Sequence, residues 1–267
     1  MAGRKAPKTA LVTGANRGIG FEIVRQLAEQ GISVLAGARS DKKAQAAGAA
    51  FAKIGVTAVP VVLDIAAAKR MPAILAEIER RHGPIDVLVN NAAILIDGPG
   101  GFGASLFEMT DDTFRRTWET NVLGPATTMR ALLPGMIARG FGRIVNIVSR
   151  SVKIPQAELG LSNGARSGLV GFVAGLARQT VGRGVTINNL LPGPFDTDAQ
   201  REHVQGMVDA ERSFDQIWNA RVATNPAGRF GQPAELGAYC AFLCSANAGF
   251  VTGQNLLIDG GSYPGTY

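Results

Sequence analysis

Seven short apolar runs recur along the chain: "TALVT" near residue 9, "ISVLAGA" near 32, "TAVPVVLD" near 57, "IDVLVNNAA" near 85, "RIVNIVS" near 143, "VTINNLLPG" near 185 and "QNLLIDGG" near 254. They are rich in Val, Ile and Leu without a polar alternation, which marks strands covered on both faces, as in a parallel sheet. Between them lie segments whose apolar positions repeat every 3.6 residues, "GFEIVRQLAEQ", "RMPAILAEIERRH", "DDTFRRTWETNVLGPATTMRALLPGMIARG" and "SNGARSGLVGFVAGLARQTV". The spacing predicts helices, the third as one long helix. Strand alternating with helix predicts a single α/β domain spanning 1–267, a Rossmann-like doubly wound parallel sheet of about seven strands flanked by helices. The alternation breaks once, over 196–227, where "DTDAQREHVQGMVDAERSFDQIWNARVATNPA" is polar and helical with no strand. An insertion after a strand end, where a ligand should sit, is expected to form a helical lid over a substrate pocket.

The bulk numbers narrow the function. At 267 residues, 46% hydrophobic and 18% charged, the chain can bury a sizeable core. No run approaches the ~20 apolar residues of a membrane span, and "MAGRKAPK" lacks the apolar core of a signal peptide. A cytoplasmic protein with no membrane partner is expected. Net charge is +6 and the pI about 9.7. The densest basic groups, "GRKAPK" and "ERRH", lack interleaved aromatics or a docking motif, so a solvated surface and a phosphate-bearing small molecule explain the charge without nucleic acid. Cys240 and Cys244 are expected to be buried small hydrophobes rather than a bridge. With only His82 and His203, no metal site is expected.

Chemistry enters directly after the first strand, at "TGANRGIG", residues 13–20. Glycines there permit a tight turn and a close approach of backbone amides to a pyrophosphate at the positive end of the following helix. The end of the second strand reads "LAGARSD". An acid at that place accepts from the 2′-hydroxyl of an adenosine ribose and repels a 2′-phosphate. Here Arg39 stands nearby, and Arg17 in the glycine turn can reach the same point. Two planar guanidiniums suit a phosphate dianion, so NADP(H) is expected over NAD(H). Asp41 weakens that preference if it faces the ribose in place of Arg39.

The spacing of Gly14, Gly18 and Gly20, followed in order by "VLVNNAA", Asn121 in "ETNV", Ser149 in "RIVNIVS", Pro192 and Gly193 in "NNLLPG" and the late "TGQNLLIDGG", resembles the short-chain dehydrogenase/reductase family over residues 8–262. The likeness is to its 3-oxoacyl-acyl-carrier-protein-reductase-like members, with Ala93 standing where the family turn has glycine. The resemblance implies cofactor contacts at Gly14, Asn16, Arg17, Gly18, Ile19, Gly20, Arg39, Asp64, Ile65, Asn91, Ala92, Pro192, Gly193, Phe195 and Thr197. Asp64 matches an adenine-contacting aspartate and Thr197 a contact to the nicotinamide amide. For both, a turn or capping role is the alternative.

In the resembled family a ketone takes hydride from the nicotinamide and a proton from a tyrosine. A lysine four residues on lowers the phenol's pKa and holds the ribose, a serine thirteen residues upstream binds the carbonyl oxygen, and an asparagine fixes a water. Ser149 and Asn121 match the last two. Thirteen residues on from Ser149 stands Ser162, and four further stands Arg166. The resemblance thus implies a catalytic set of Ser149, Ser162, Arg166 and Asn121 in which the tyrosine and lysine are replaced. A serine hydroxyl is a far weaker acid than a phenol of pKa ~10. Arginine stays protonated, but its fork can bond the ribose, so Arg166 is counted with the cofactor contacts as well. The proton donors weighed are Tyr263 in the tail, His203 in the lid, Glu158 if buried, and, preferred, a water held by Ser149, Ser162 and Arg166. Tyr239, in an apolar helix, and Tyr267 complete the tyrosines. The expected function is an NADP(H)-dependent oxidoreductase acting on a small ketone, aldehyde or imine. The alternative is an NADP(H)-binding or regulatory protein whose catalysis has lapsed. The small apolar "GLVGFVAGLA" run suits close helix packing between copies, as a tetramer or dimer.

Overall fold

The computed structural model describes residues 7–96 and 107–266; the first residues of the basic "GRKAPK" group and Tyr267 lie outside them. All seven apolar runs form strands: β1 (Thr9–Val12), β2 (Ser33–Ala38), β3 (Ala58–Val62), β4 (Val87–Asn90), β5 (Gly142–Ile147), β6 (Val185–Pro192) and β7 (Asn255–Ile258). They pair in parallel in the order β3-β2-β1-β4-β5-β6-β7. The order reverses direction between β1 and β4, which opens a crevice at the carboxyl ends of the strands.

Helices α1 (Gly18–Glu29), α2 (Asp41–Lys53) and α9 (Pro233–Cys244) cover one face; α3 (Met71–His82), α5 (Gly124–Ala138) and α6 (Gly160–Thr180) cover the other. Each face buries its own apolar cluster. Val24 and Leu27 of α1 meet Phe51 of α2 and Cys240 and Cys244 of α9 in the first; Met71, Met129 and Leu169 meet in the second. Both cysteines are free and buried. Beyond the expected helices, α2 forms over an alanine-rich stretch and stacks Phe51 on Phe21 at 4.2 Å between centroids. The 196–227 segment holds the helices α7 (Asp198–Gln205) and α8 (Phe214–Ala223) and no strand.

The long helix expected over 111–140 is instead three pieces: α4 (Asp111–Trp118), a π turn (Glu119–Leu123) and α5. Gly124 N–H reaches back five residues to Glu119 O. The next residue, Pro125, has no N–H to give to Asn121 O, so the regular i→i−4 ladder has a gap there and the wider turn costs little. The turn carries the buried Asn121 toward the 91–96 segment.

A feature that hydrophobic patterning does not reveal is a file of asparagines across four strands. Asn90 Nδ2 donates to Asn146 Oδ1 at 2.9 Å, Asn146 to Asn189 at 3.0 Å and Asn189 to Asn255 at 2.8 Å, while Thr128 Oγ1 donates to Asn90 Oδ1. Paired strand register puts these residues opposite one another. In a buried layer, an amide that gives to one neighbour and takes from the other leaves few polar atoms unsatisfied, and it fixes the relative height of β4 to β7.

Candidate functional site

The turn at 13–20 is held by side chains on both sides. Thr13 Oγ1 accepts from the backbone N–H groups of Asn91 and Ala92, both at 3.0 Å. Asn91 Nδ2 donates to the carbonyls of Thr13 and Gly14 at 3.0 and 2.9 Å. Gly14 has φ +63°, and a Cβ on it would lie 2.8 Å from Ala92 Cα. A Cβ on Gly20 would lie 2.5 Å from Gly14 O and closer still to Asn91 Nδ2. Glycine is therefore required at both positions, once for the close approach of β4 and once for the packing of α1 on the turn. No side chain caps the start of α1, and its first turn carries no acid. Its N–H groups and positive end remain available to an anion.

These groups open onto a cleft of about 560 Å³ at the carboxyl ends of β1, β2 and β4. Gly14, Asn16, Arg17, Gly18, Ile19, Gly20, Arg39, Asp64, Ile65, Asn91, Ala92 and Thr197 all line it. Arg39 is exposed at the end of β2 and faces the cleft. Asp41 does not line it; its carboxylate accepts from Gln45 Nε2 along α2 at 2.6 Å. Asp64 Oδ1 accepts from Ala66 N–H at 3.1 Å, and Thr197 Oγ1 accepts from Gln200 N–H at 3.2 Å as the cap of α7. The turn and capping roles thus coexist with a place on the cleft wall.

Lys43 in the first turn of α2 and Arg116 on α4 add two cations that were not expected there. The signal for Lys43 was its place four residues after Arg39. None existed for Arg116 without the fold. Arg17 already has a partner, Glu202 on α7, at 2.5 Å.

Four expected contacts lie elsewhere. Pro192 ends β6, and Gly193 sits against Asp259, whose Cα a Cβ would meet at 2.7 Å. Phe195 is buried with its ring against Gly231, to which its backbone pairs. Arg166 lies on α6, where its Nη1 donates to Ile147 O at the end of β5 at 3.1 Å. Its Nε is sealed from solvent and has no hydrogen-bond partner among the described residues. Burial lowers its pKa to about 10, so at neutral pH it remains a cation.

Ser149 follows β5, and its Oγ accepts from Ser151 N–H at 3.1 Å. Asn121 is fully engaged, its Oδ1 accepting from Ile94 N–H and its Nδ2 donating to Ile94 O, both at 2.9 Å. Ser162 is only 9% exposed, and its hydroxyl makes no hydrogen bond among the described residues. It lines a second, small cavity of about 10 Å³ together with Thr117 and Glu158. Glu158 is exposed at its outer side, so burial does not favour it as a direct acid. His203 is on α7 and partly exposed. Tyr263 is anchored by its N–H on Asp259 Oδ2 at 2.9 Å, with Lys153 Nζ 5.5 Å from its ring centroid. Tyr239 is on α9, stacked on Phe242. Among the described residues no group of three or more His, Cys, Asp or Glu could hold a metal ion, and no helix is long and apolar enough to cross a membrane.

Comparison with known proteins gives a consistent picture. Residues 14–263 match a family described as "Enoyl-(Acyl carrier protein) reductase". The chain is 34% identical to the 3-oxoacyl-[acyl-carrier-protein] reductase FabG of Vibrio cholerae over 96% of this chain and 97% of that one. Its fold is similar to that of a variant actinorhodin polyketide ketoreductase crystallised with NADPH, with a TM-score of 0.87, 32% identity and coverage of 96% and 97%. It is also similar to L-sorbose reductase of Gluconobacter frateurii in complex with NADPH and L-sorbose, with a TM-score of 0.90, 26% identity and 98% of both chains covered.

Proposed function

The chain belongs to the short-chain dehydrogenase/reductase family, and from that premise we propose that it is an NADP(H)-dependent oxidoreductase of small carbonyl compounds with an altered proton-donating site. The observation that carries the cofactor assignment is the cleft itself: an uncapped helix start behind glycines that exclude a Cβ, beside Arg17, Arg39 and Lys43. When bound, NADP(H) exchanges hydride with the substrate carbon. Arg39 and Lys43 hold the 2′-phosphate, the turn at 13–20 holds the pyrophosphate, and Asp64 and Ile65 border the adenine. Pro192, Gly193, Phe195 and Thr197 frame the nicotinamide end, Phe195 through its backbone since its ring is buried.

Chemistry at the other end rests on Ser149, Ser162 and Arg166. Ser149 offers its hydroxyl to the carbonyl oxygen. Arg166 holds the ribose hydroxyls and places positive charge beneath the reacting centre, which favours a developing oxyanion. Ser162 stands in the tyrosine position, and a water supplies the proton. The helices α7 and α8 serve as the lid that excludes bulk water. 3-Oxoacyl thioesters, sugars and cyclic imines form the first substrate panel, and the small face of α6 joins copies into a dimer or tetramer in the cytoplasm.

A second reading has specific support. Ser149 Oγ and both Asn121 side-chain atoms already serve the backbone, so neither needs catalysis to explain it, which suits a protein that binds NADP(H) without turnover. An NADPH-oxidation screen over the panel beside a fluorescence titration separates the two. Turnover of at least one carbonyl is expected, and NADPH binding without any turnover refutes the oxidoreductase.

A further inference from the structure

The small cavity under α6 has three features that belong together. Its volume, about 10 Å³, is at the lower limit for holding one water, ~10–15 Å³. On its wall stands Ser162, nine-tenths buried, whose hydroxyl makes no hydrogen bond among the described residues. Thr117 lines it too, and since its Oγ1 proton is given to Thr113 O at 2.8 Å, only the lone pairs of that oxygen are left, which suit a water O–H. On the outer wall is Glu158, whose side chain reaches bulk solvent. A water needs two to four polar partners, and Ser162, Thr117 and the solvent-reaching Glu158 all stand on the wall of this one cavity.

We propose that Glu158, a single water seated against Thr117, and Ser162 form a proton relay that replaces the missing phenol. The proposal rests on the oxidoreductase reading. As hydride adds to the carbonyl carbon, the C–O π pair becomes an O–H bond to the proton of Ser162 Oγ. The water gives a proton to Ser162, the Glu158 carboxyl gives one to the water, and the resulting carboxylate takes one from solvent. Alcohol oxidation runs the same transfers backward. Ser162 is the catalytic residue of this chain of transfers, and Thr117 is a positioning residue for the water.

Glu158→Ala, at an exposed position, tests the relay. With a carbonyl from the panel, kcat is expected to fall at least about tenfold, the lower end of general acid–base contributions being ~100-fold, while NADPH affinity by fluorescence and KM stay unchanged. Millimolar acetate is expected to restore part of the rate. Thr117→Val should lose a similar factor and Thr117→Ser should regain it, a distinction that helix packing alone does not make. A crystal structure showing solvent should hold one water between Ser162 and Thr117; a dry cavity overturns the relay. So does a Glu158→Ala enzyme with wild-type kcat, or a loss that acetate leaves untouched; either leaves the oxidoreductase standing. A wild type that binds NADPH and reduces nothing refutes that reading and the relay together.

Discussion

Replacing Arg166 by methionine should stabilise the protein without cofactor and weaken its complex with NADPH. Among the described residues the guanidinium makes one hydrogen bond, to Ile147 O, and its buried Nε has no partner. Desolvation lowers its pKa from the usual guanidinium range to about 10. At ~1.4 kcal/mol per pKa unit, that difference sets a ceiling of about 3 kcal/mol on the cost of holding the charge there. A buried donor left unsatisfied costs ~1–3 kcal/mol by mutational measure, so the two estimates agree on about 1–3 kcal/mol. Methionine keeps the apolar stem and removes the charge. At roughly 2–4 °C per kcal/mol for a chain of this size, Tm of the apo protein should rise by about 2–12 °C.

The pH dependence has a definite sign. Below about pH 10 the folded and unfolded chains both carry the proton, so the cost is constant. Above about pH 10, until the unfolded chain also loses the proton, only the unfolded chain keeps it; the wild type gains stability relative to Arg166→Met as pH rises, and the gap closes. Differential unfolding of the two proteins across that window isolates this side chain from the lysines and tyrosines that titrate in both. With saturating NADPH the order should reverse, because the loss of a charge-assisted bond weakens binding by roughly tenfold or more. An apo Arg166→Met that melts at or below the wild type at neutral pH refutes the account, since the cation would then have a net stabilising partner.

Three more outcomes follow from the same geometry. Arg39→Ala should weaken NADPH by roughly 5–30-fold, as expected for a partly solvated phosphate contact worth ~1–2 kcal/mol, and leave NADH unchanged; equal loss of both cofactors in parallel titrations contradicts the 2′-phosphate assignment. Glu202→Gln frees Arg17 from an exposed ion pair worth ~0.2–1 kcal/mol, so NADPH should bind up to about fivefold tighter at low salt, and weaker binding would show that Glu202 orients Arg17 rather than competing for it. Asn146→Ala strands Asn90 Nδ2 and Asn189 Oδ1 in the core, at ~1–3 kcal/mol each, so chemical unfolding should show a loss of about 2–6 kcal/mol; a loss under 1 kcal/mol means that the file reorganises around water.

The sheet was legible because each strand is an apolar run rich in Val, Ile and Leu, buried on both sides at the centre of the sheet and partly exposed in the edge strands β3 and β7, and so was the glycine turn, whose spacing is forced by contacts no Cβ can enter. What escaped depends on distance in the chain rather than on neighbours. The break at 119–123 needed the missing N–H of Pro125 to be set against the regular helix spacing of its surroundings. The asparagine file was visible residue by residue, at the ends of "VLVN" and "RIVN" and inside "VTINN" and "QNLL", yet only strand register shows that they meet. Arg116 reaches the cleft because α4 runs past it, which periodicity within α4 does not reveal. The burial of Arg166 escaped for the same reason: the family position implies a ribose contact, and the fold adds that Nε is sealed.

Arg166 speaks for cofactor binding and says little about turnover, because an enzyme and a pure binding protein would both use it on the ribose. Ser149 and Asn121 are equally silent, since each already bonds the backbone. The residue that separates the two readings is Ser162. The residue is nine-tenths buried, its hydroxyl makes no hydrogen bond among the described residues, and it stands on the wall of a one-water cavity, so no fold contact explains it. Ser162→Ala removes one oxygen with little change of volume, so the fold and NADPH affinity should be unchanged. In an enzyme, kcat should fall at least about tenfold, the proton path being cut at its last member. Unchanged turnover in Ser162→Ala would mean that the proton reaches the substrate by another route, with Tyr263 beside Lys153 as the next group to remove.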